Sequence, residues 1–439
     1  MLGTGVFVSI IFAIQLTGPN VLWALLLAAA VATCNALNSA QLAAAHPVSG
    51  GTYEYGYRLV SPHVGFTAGW MFLCAKTASA AAAALAFSGY FLALLGSNSK
   101  VWLLFVAVIV VAAFTALICT GLRRTITANL IIVSATILSL IAFIIGGALT
   151  AFQPGGSLSA TEGFSLVPIQ FAGQTVANPS TNFLLATALL FVSYTGYGRI
   201  ATMGEEVRQP RQIIPRAIIL TVGVTLVLYL GVAWAALQAG GNYAGLMTDG
   251  TLVDASDPTD LIAQNAPLVA AASEFAFPGL DIIISLGAMT AAASVLLNLL
   301  LGLSRVWLAM GRRADMPAGL QKLSGDPPTP VPAVITSGVL VALLALLFQL
   351  RDVWTLSAFT VLVYYAFTNL AALKLTGPDR LYPRWIAYLG LTGCLALAAM
   401  VPDYIWITGL TLIVTGLIWH GIARGNSKDQ NTESGPNNQ

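Results

Sequence analysis

Eleven stretches of this chain are almost uninterruptedly apolar over 17 to 32 residues, and they limit the possible folds more than any motif does. A helix needs roughly 20 apolar residues to cross the hydrocarbon core of a bilayer, where no water satisfies exposed backbone groups. The stretches lie near 20–45, 66–95, 101–119, 128–150, 183–202, 214–238, 279–310, 331–350, 353–374, 385–401 and 404–423. The opening run from Met1 to Leu16 makes a twelfth. Composition agrees, with 57% hydrophobic residues, 8% charged residues and a mean hydropathy of +0.82. The expected fold class is an all-α polytopic membrane protein of about 12 spans.

The few charges predict an orientation, because loops on the cytoplasmic side carry the Lys and Arg excess. With twelve spans, Arg58, Arg123, Arg124, Arg208, Arg211, Arg216, Arg305, Arg312, Arg313, Lys322, Lys374, Arg380, Arg384, Arg424 and Lys428 share one side. Lys100 and Arg351 fall on the other, and Lys76 and Arg199 lie inside spans. Both termini are therefore expected in the cytoplasm of a cell whose plasma (inner) membrane holds the chain. The long loop 239–278, with Asp249, Asp254, Asp257 and Asp260, is expected outside. A second long polar loop covers 151–182, and the aperiodic polar tail 424–439 reads as disordered. No cleavable signal peptide is expected. Cys34, Cys74, Cys119 and Cys394 lack metal-ligand spacing and read as small packing residues. No cofactor, metal or nucleic-acid partner is indicated, and without a GxxxxGK phosphate loop any pumping must draw on an ion gradient.

Two spans contain paired glycines. Gly3 and Gly5 stand in "MLGTGVFVSI", and Gly196 and Gly198 in "LLFVSYTGYGRIATMGEEV". If residues 1–150 and 183–374 are five-helix repeats, these are the first helices of each, and the odd number inverts the second copy. Glycine-interrupted helices at matching places in inverted halves point to a transporter site at the midplane. An unwound turn frees N–H and C=O groups at a cost of several kcal/mol in hydrocarbon. A zwitterion can satisfy both, its carboxylate on freed amides and its ammonium on freed carbonyls. The alternative is that the glycines only let helices pack closely. The matched placement of the two pairs favours the site.

Four segments then occur in a telling order: "GTGVF", "HPVSGGTYEYGYRLVSPHVGFTAGW", "YTGYGRIATMGEEVRQPRQIIPRAI" and "LSRVWLAMGRRADMPAGLQKLSGDPPTPVPAV". Together they resemble successive landmarks of the amino acid, polyamine and organocation (APC) superfamily, in the manner of a bacterial amino acid permease. The resemblance spans residues 1 to about 375. It implies a LeuT-like fold of five plus five inverted helices, with two additional helices over 385–423. It also implies a secondary active transporter of amino acids, a symporter working by alternating access. Its substrate-binding residues would be Gly3, Thr4 and Gly5 in the first repeat, and Tyr194, Thr195, Gly196, Tyr197 and Gly198 in the second. In the family the first glycine motif lies mid-membrane behind a half-helix. Here the run from Met1 to Leu16 would reach only about 24 Å, short of the roughly 30 Å core. The first helix is therefore expected to lack its first half, with the native start upstream of Met1.

Lys76, deep in the third span among small apolar residues, is the expected proton-coupling residue. An ionisable group at such depth costs at least about 2.5–3.5 kcal/mol, and leaving water favours the neutral amine. Snorkelling to the interface is the alternative. The resemblance implies a proton-carrying lysine on the fifth helix, but the matching position is Thr136. Arg199, Glu205 and Glu206 are expected to form a gate or a structural ion pair at the cytoplasmic end of the sixth span. Family members with cationic substrates often place an acid near the broken turn. Here the turn reads "GYGR", which weighs against cationic cargo and favours neutral or anionic substrates. Asn35, Asn38 and Gln41 share a helix face and are expected to bond between helices. Ser285, Thr290 and Ser294 are a weaker, sodium-binding alternative, and His46, His63 and His420 read as helix-end or loop residues. Competing functions are a sensor on a transporter scaffold, a sodium-coupled permease and an exchanger.

Overall fold

The computed structural model describes residues 2–46, 50–121, 126–152, 169–171, 174–176, 179–198, 210–239, 260–325 and 328–433. The helices are α1 (Thr4–Thr17), α2 (Val21–Ala45), α3 (Thr52–Leu59), α4 (Pro62–Leu94), α5 (Lys100–Cys119) and α6 (Ile126–Ala151). There follow α7 (Pro179–Tyr194), α8 (Pro210–Gln238), α9 (Asp260–Asn265), α10 (Pro267–Ala272) and α11 (Leu280–Arg312). The chain ends with α12 (Val331–Leu347), α13 (Leu350–Leu373), α14 (Arg384–Ala398) and α15 (Asp403–Glu433). Between α6 and α7, β1 (Ile169–Phe171) and β2 (Gln174–Val176) form a small antiparallel hairpin.

By length and composition, eight described helical segments suit a membrane crossing, and α12 and α14 are shorter apolar helices. The first of the eight, Thr4–Ala45, contains both α1 and α2. A 3-10 turn at Gly18–Asn20 separates the two helices. Gly18 adopts φ +55° there, a conformation that L side chains rarely take, and Pro19 supplies no N–H. The chain is thus an integral, multi-pass membrane protein, and its surface shows the same. Val101, Leu220, Val227 and Ile407 on α5, α8 and α15 are all more than 60% exposed, as lipid-facing side chains must be.

The centre of the bundle is α4. Ala80, Ala81, Ala82, Ala83 and Ala84 are fully buried on consecutive positions, so the helix is packed on every side. Alanine permits this because its small side chain lets neighbouring backbones come close. At 33 residues each, α4 and α11 extend about 50 Å, well beyond a roughly 30 Å core, and carry their ends clear of the hydrocarbon. Two boundaries differ from the sequence reading. The stretch before α4 contains the separate short helix α3, and α15 continues to Glu433 instead of dissolving at 424. No proline occurs in the tail before Pro436, so nothing there stops helical hydrogen bonding.

The polar residues of α2 bond between helices as expected. Asn38 Nδ2 donates to Asn369 Oδ1 on α13 at 2.7 Å, and Asn369 Nδ2 donates to Asn35 Oδ1 at 2.5 Å. Asn35 Nδ2 reaches Cys394 Sγ on α14 at 3.2 Å, while Gln41 Nε2 donates to Asn38 Oδ1 at 2.8 Å. Gly390 on α14 leaves the room, since a Cβ there would lie 2.6 Å from Asn369 Oδ1. Each such bond adds only about 0.6 kcal/mol in a membrane protein. Losing one partner matters more, because it strands the rest at about 1–3 kcal/mol per group. Asn369→Leu is expected to destabilise the fold by roughly 2 kcal/mol. A melting curve in detergent that matches the parent would refute it.

Candidate functional site

Helix α7 changes its hydrogen bonding at the glycine pair, while Tyr194 and Gly198 on either side keep right-handed helical dihedrals. The α-helix stops at Tyr194, and Thr195–Tyr197 form a 3-10 turn leading to Gly198. Arg199, Glu205 and Glu206, the expected gate, lie outside the described residues. Opposite the break stands the start of α1. Gly3 is extended (φ −155°, ψ −160°), and the helix begins at Thr4 without a side-chain cap. Gly5 is already inside the helix. A Cβ on it would lie 2.4 Å from Ser193 Oγ, so this glycine sets the close approach of α1 to α7. One turn on, the Ser9 and Ser193 hydroxyls meet at 2.7 Å.

Tyrosines from the surrounding helices hold the backbone here. Tyr229 on α8 donates to Ser193 O at 3.3 Å, Tyr365 on α13 donates to Thr195 O at 3.3 Å, and Tyr90 on α4 donates to Phe7 O at 2.7 Å. Gly198 is needed for the second of these, because a Cβ would sit 2.7 Å from the Tyr365 hydroxyl oxygen. The buried hydroxyls of Thr4, Tyr194 and Tyr197 have no hydrogen-bond partner among the described residues, although buried polar atoms are usually paired. At the start of α13, Trp354 donates to Leu189 O at 3.1 Å and the Arg351 guanidinium lies 5.9 Å over the Phe12 ring. One end of α13 is thereby clasped to both α1 and α7.

Lys76 is connected to this region by a row of aromatic rings. Its ammonium lies 5.9 Å over Phe72, whose ring is 5.4 Å from Tyr364. Tyr364 is 5.0 Å from Tyr365, and Tyr365 is 5.3 Å from Tyr197 in the 3-10 turn. Lys76 is half-buried and makes no ion pair or hydrogen bond among the described residues. Thr136 turns its hydroxyl to Ile132 O of its own helix at 2.9 Å. Thr290 does the same with Gly287 O at 2.8 Å. Among the described residues no group of three or more His, Cys, Asp or Glu is placed to hold a metal ion.

A second cluster escaped the sequence reading. Asp315, just after α11, is 2% exposed and accepts from Tyr53 of α3 at 2.7 Å and from Tyr57 of the same helix. His420, assigned above to a helix end or loop, lies within α15 and is buried, with Nδ1 3.2 Å from Asp315 Oδ1. Its ring stacks on Phe66 at 4.4 Å and meets His63 edge-on at 5.4 Å. Beside it, Arg313 forms a bidentate pair with Glu54 at 3.0 and 2.5 Å. That pairing raises the pKa of Arg313, and burial followed by the Asp315 carboxylate pushes the Tyr53 phenol well up. Ala314, between the two charges, takes the left-handed φ of +58°. Only a turn held firmly on both sides keeps an alanine there. The signal in the sequence was "GRRADMP", but nothing in it shows that residues about 260 and 100 positions away converge on it.

The chain matches the model of the family described as Amino acid permease over residues 1–435. It is similar to an uncharacterised transporter of Mycobacterium tuberculosis (strain ATCC 25618 / H37Rv), 35% identical over 425 residues that cover 97% of this chain and 88% of the relative. A branched-chain amino acid permease of Bacillus subtilis (strain 168) is 25% identical, covering 95% and 87%. A chloroplastic cationic amino acid transporter of Arabidopsis thaliana is 27% identical, covering 84% and 62%. A helical, multi-pass bundle, a helix that breaks beside an aromatic wall and a match along nearly the whole chain agree: this protein belongs to the amino acid permease family and is a transporter, not an enzyme.

Proposed function

We propose that this permease is a proton-coupled symporter of neutral amino acids, working by alternating access around the break between α7 and Gly198. The observation that carries this reading is the row of rings from Lys76 to Tyr197, which ties the basic side chain deep in α4 to the 3-10 turn after α7. Gly3 before α1 and Thr4 and Gly5 at its start, with Tyr194, Thr195, Gly196, Tyr197 and Gly198, form the substrate site. Its amino and carboxylate groups are met by the backbone at the two helix ends and by the free hydroxyls of Thr4 and Tyr194. The side chains described at the break are hydroxyls and aromatic rings without a carboxylate, which suits a neutral side chain and offers no partner to a cationic one. The branched-chain amino acid permease among the relatives is consistent with that substrate class. Five-plus-five inverted repeats, cytoplasmic termini and residence in the plasma (inner) membrane complete the proposal.

The test is uptake into proteoliposomes from a panel of labelled amino acids, under an imposed pH gradient and separately under a sodium gradient. Neutral, apolar amino acids are expected to accumulate under the pH gradient alone. Accumulation only with sodium would move coupling to Ser285, Thr290 and Ser294. Preferred uptake of arginine or lysine would overturn the substrate class, and binding without uptake would make the protein a sensor.

A further inference from the structure

A groove of about 610 Å³ opens on the outside of the bundle, away from the α1–α7 break. It lies within the roughly 300–1,000 Å³ range of sites that hold a ligand. Trp70 of α4, Trp307 of α11 and Trp419 of α15 line it, with Met316 and Leu320 from the turn after α11 and Lys322 at the same turn. The indole N–H groups of Trp70 and Trp419 are committed to Leu412 O at 2.8 Å and Asp315 O at 2.9 Å, which fixes both rings. The Trp307 N–H is buried and has no partner among the described residues. Counted from the helix ends at Pro62 and Arg312, Trp70 lies about 12 Å and Trp307 about 8 Å along the membrane-crossing helices. With about 10 Å of each helix beyond the core, the groove therefore runs from a polar turn to the boundary of the hydrocarbon.

We infer that this groove binds one anionic phospholipid from the leaflet that faces the 313–325 turn. Three features point to that occupant. Tryptophan gathers where headgroups meet acyl chains, because its ring is apolar and its N–H polar. The walls are apolar and bordered by lipid-facing helices, so an acyl chain enters sideways without crossing water. The exposed end of the groove carries the positive charge of Lys322, complementary to a phosphate, while Arg313 before the same turn is already held by Glu54. The lipid lies against α4, α11, α12 and α15 at once, and a bound molecule there stiffens the Asp315 cluster from its membrane side.

Native mass spectrometry of the purified full chain, titrated with phosphatidylglycerol or phosphatidylcholine of the same acyl chains, tests this. One lysine near a headgroup contributes about 1 kcal/mol, so the parent is expected to retain phosphatidylglycerol about fivefold better. Lys322→Glu, an exposed substitution that leaves the walls intact, should remove that preference while phosphatidylcholine still binds. Gly319→Phe adds a side chain at a position where a Cβ meets nothing within 4 Å, and should displace one lipid of either kind. Equal retention of the two lipids by the parent, or an unchanged preference in Lys322→Glu, rejects headgroup recognition. Lipid retention by Gly319→Phe equal to the parent rejects the groove as the site. A dimer in place of bound lipid, dissolved by Gly319→Phe, would assign the groove to a second copy of the chain and overturn the inference.

Discussion

Lys76→Met is expected to abolish amino acid accumulation driven by a pH gradient, leaving substrate binding measurable. A gradient of one pH unit stores about 1.4 kcal/mol, enough for roughly tenfold accumulation of a neutral substrate carried with one proton. The variant should show none, only equilibration. Methionine keeps the length and the apolar stem of lysine, so packing against Phe72 survives while the exchangeable proton is gone. Lys76→Arg should fail in the same way, because a guanidinium does not release its proton in proteins. That second variant separates proton transfer from mere charge. A snorkelling or structural cation would tolerate arginine, so full pH-driven accumulation by Lys76→Arg would sink the proton-carrier role. The prediction is sharpened by the absence of any ion-pair partner for Lys76 among the described residues, since a lysine held by a carboxylate has a structural reason to be there.

The second large effect is expected at Asp315. Asp315→Ala removes the acceptor for two tyrosine hydroxyls and the partner of His420; Asp315, Tyr53 and His420 are buried and Tyr57 partly so. Each buried polar group left without its partner costs about 1–3 kcal/mol, so stranding the Tyr53 hydroxyl and the His420 imidazole together is expected to cost roughly 2–5 kcal/mol. Asp315→Asn keeps a carbonyl acceptor and should lose roughly half as much. The check is thermal unfolding in detergent followed by size-exclusion chromatography. If Asp315→Ala melts within about 2 °C of the parent, the cluster does not hold α3, α11 and α15 together. A preserved fold with lost transport would instead make it part of the moving machinery, which a stability measurement and an uptake assay distinguish on the same preparation.

The class of this protein is written along its chain. Twenty-residue apolar runs have one stable outcome, helices in a bilayer, because the backbone must satisfy itself there. The change of helix type after Tyr194 was signalled locally, since glycine weakens a helix by about 1 kcal/mol and two of them fall within three residues there. The partners of Asn35, Asn38 and Gln41 could be anticipated in kind, as polar groups on one helix face have to bond somewhere. Three things were settled only by the tertiary fold. Gly5 was read as part of an unwound turn, yet its helix continues through it and its small size serves the approach of Ser193, which only the α1–α7 packing shows. The row of rings from Lys76 to Tyr197 joins residues on α4, α13 and the turn after α7, whose separation in sequence carries no pattern. His420 has the composition of an ordinary interfacial residue, and its burial against Asp315 exists because α4 and α11 overrun the hydrocarbon and bring their ends to α15. Periodicity and glycine placement act through the local backbone and are legible in order along the chain. Side-chain convergence depends on which helices become neighbours, and that is decided by the packing of the whole bundle.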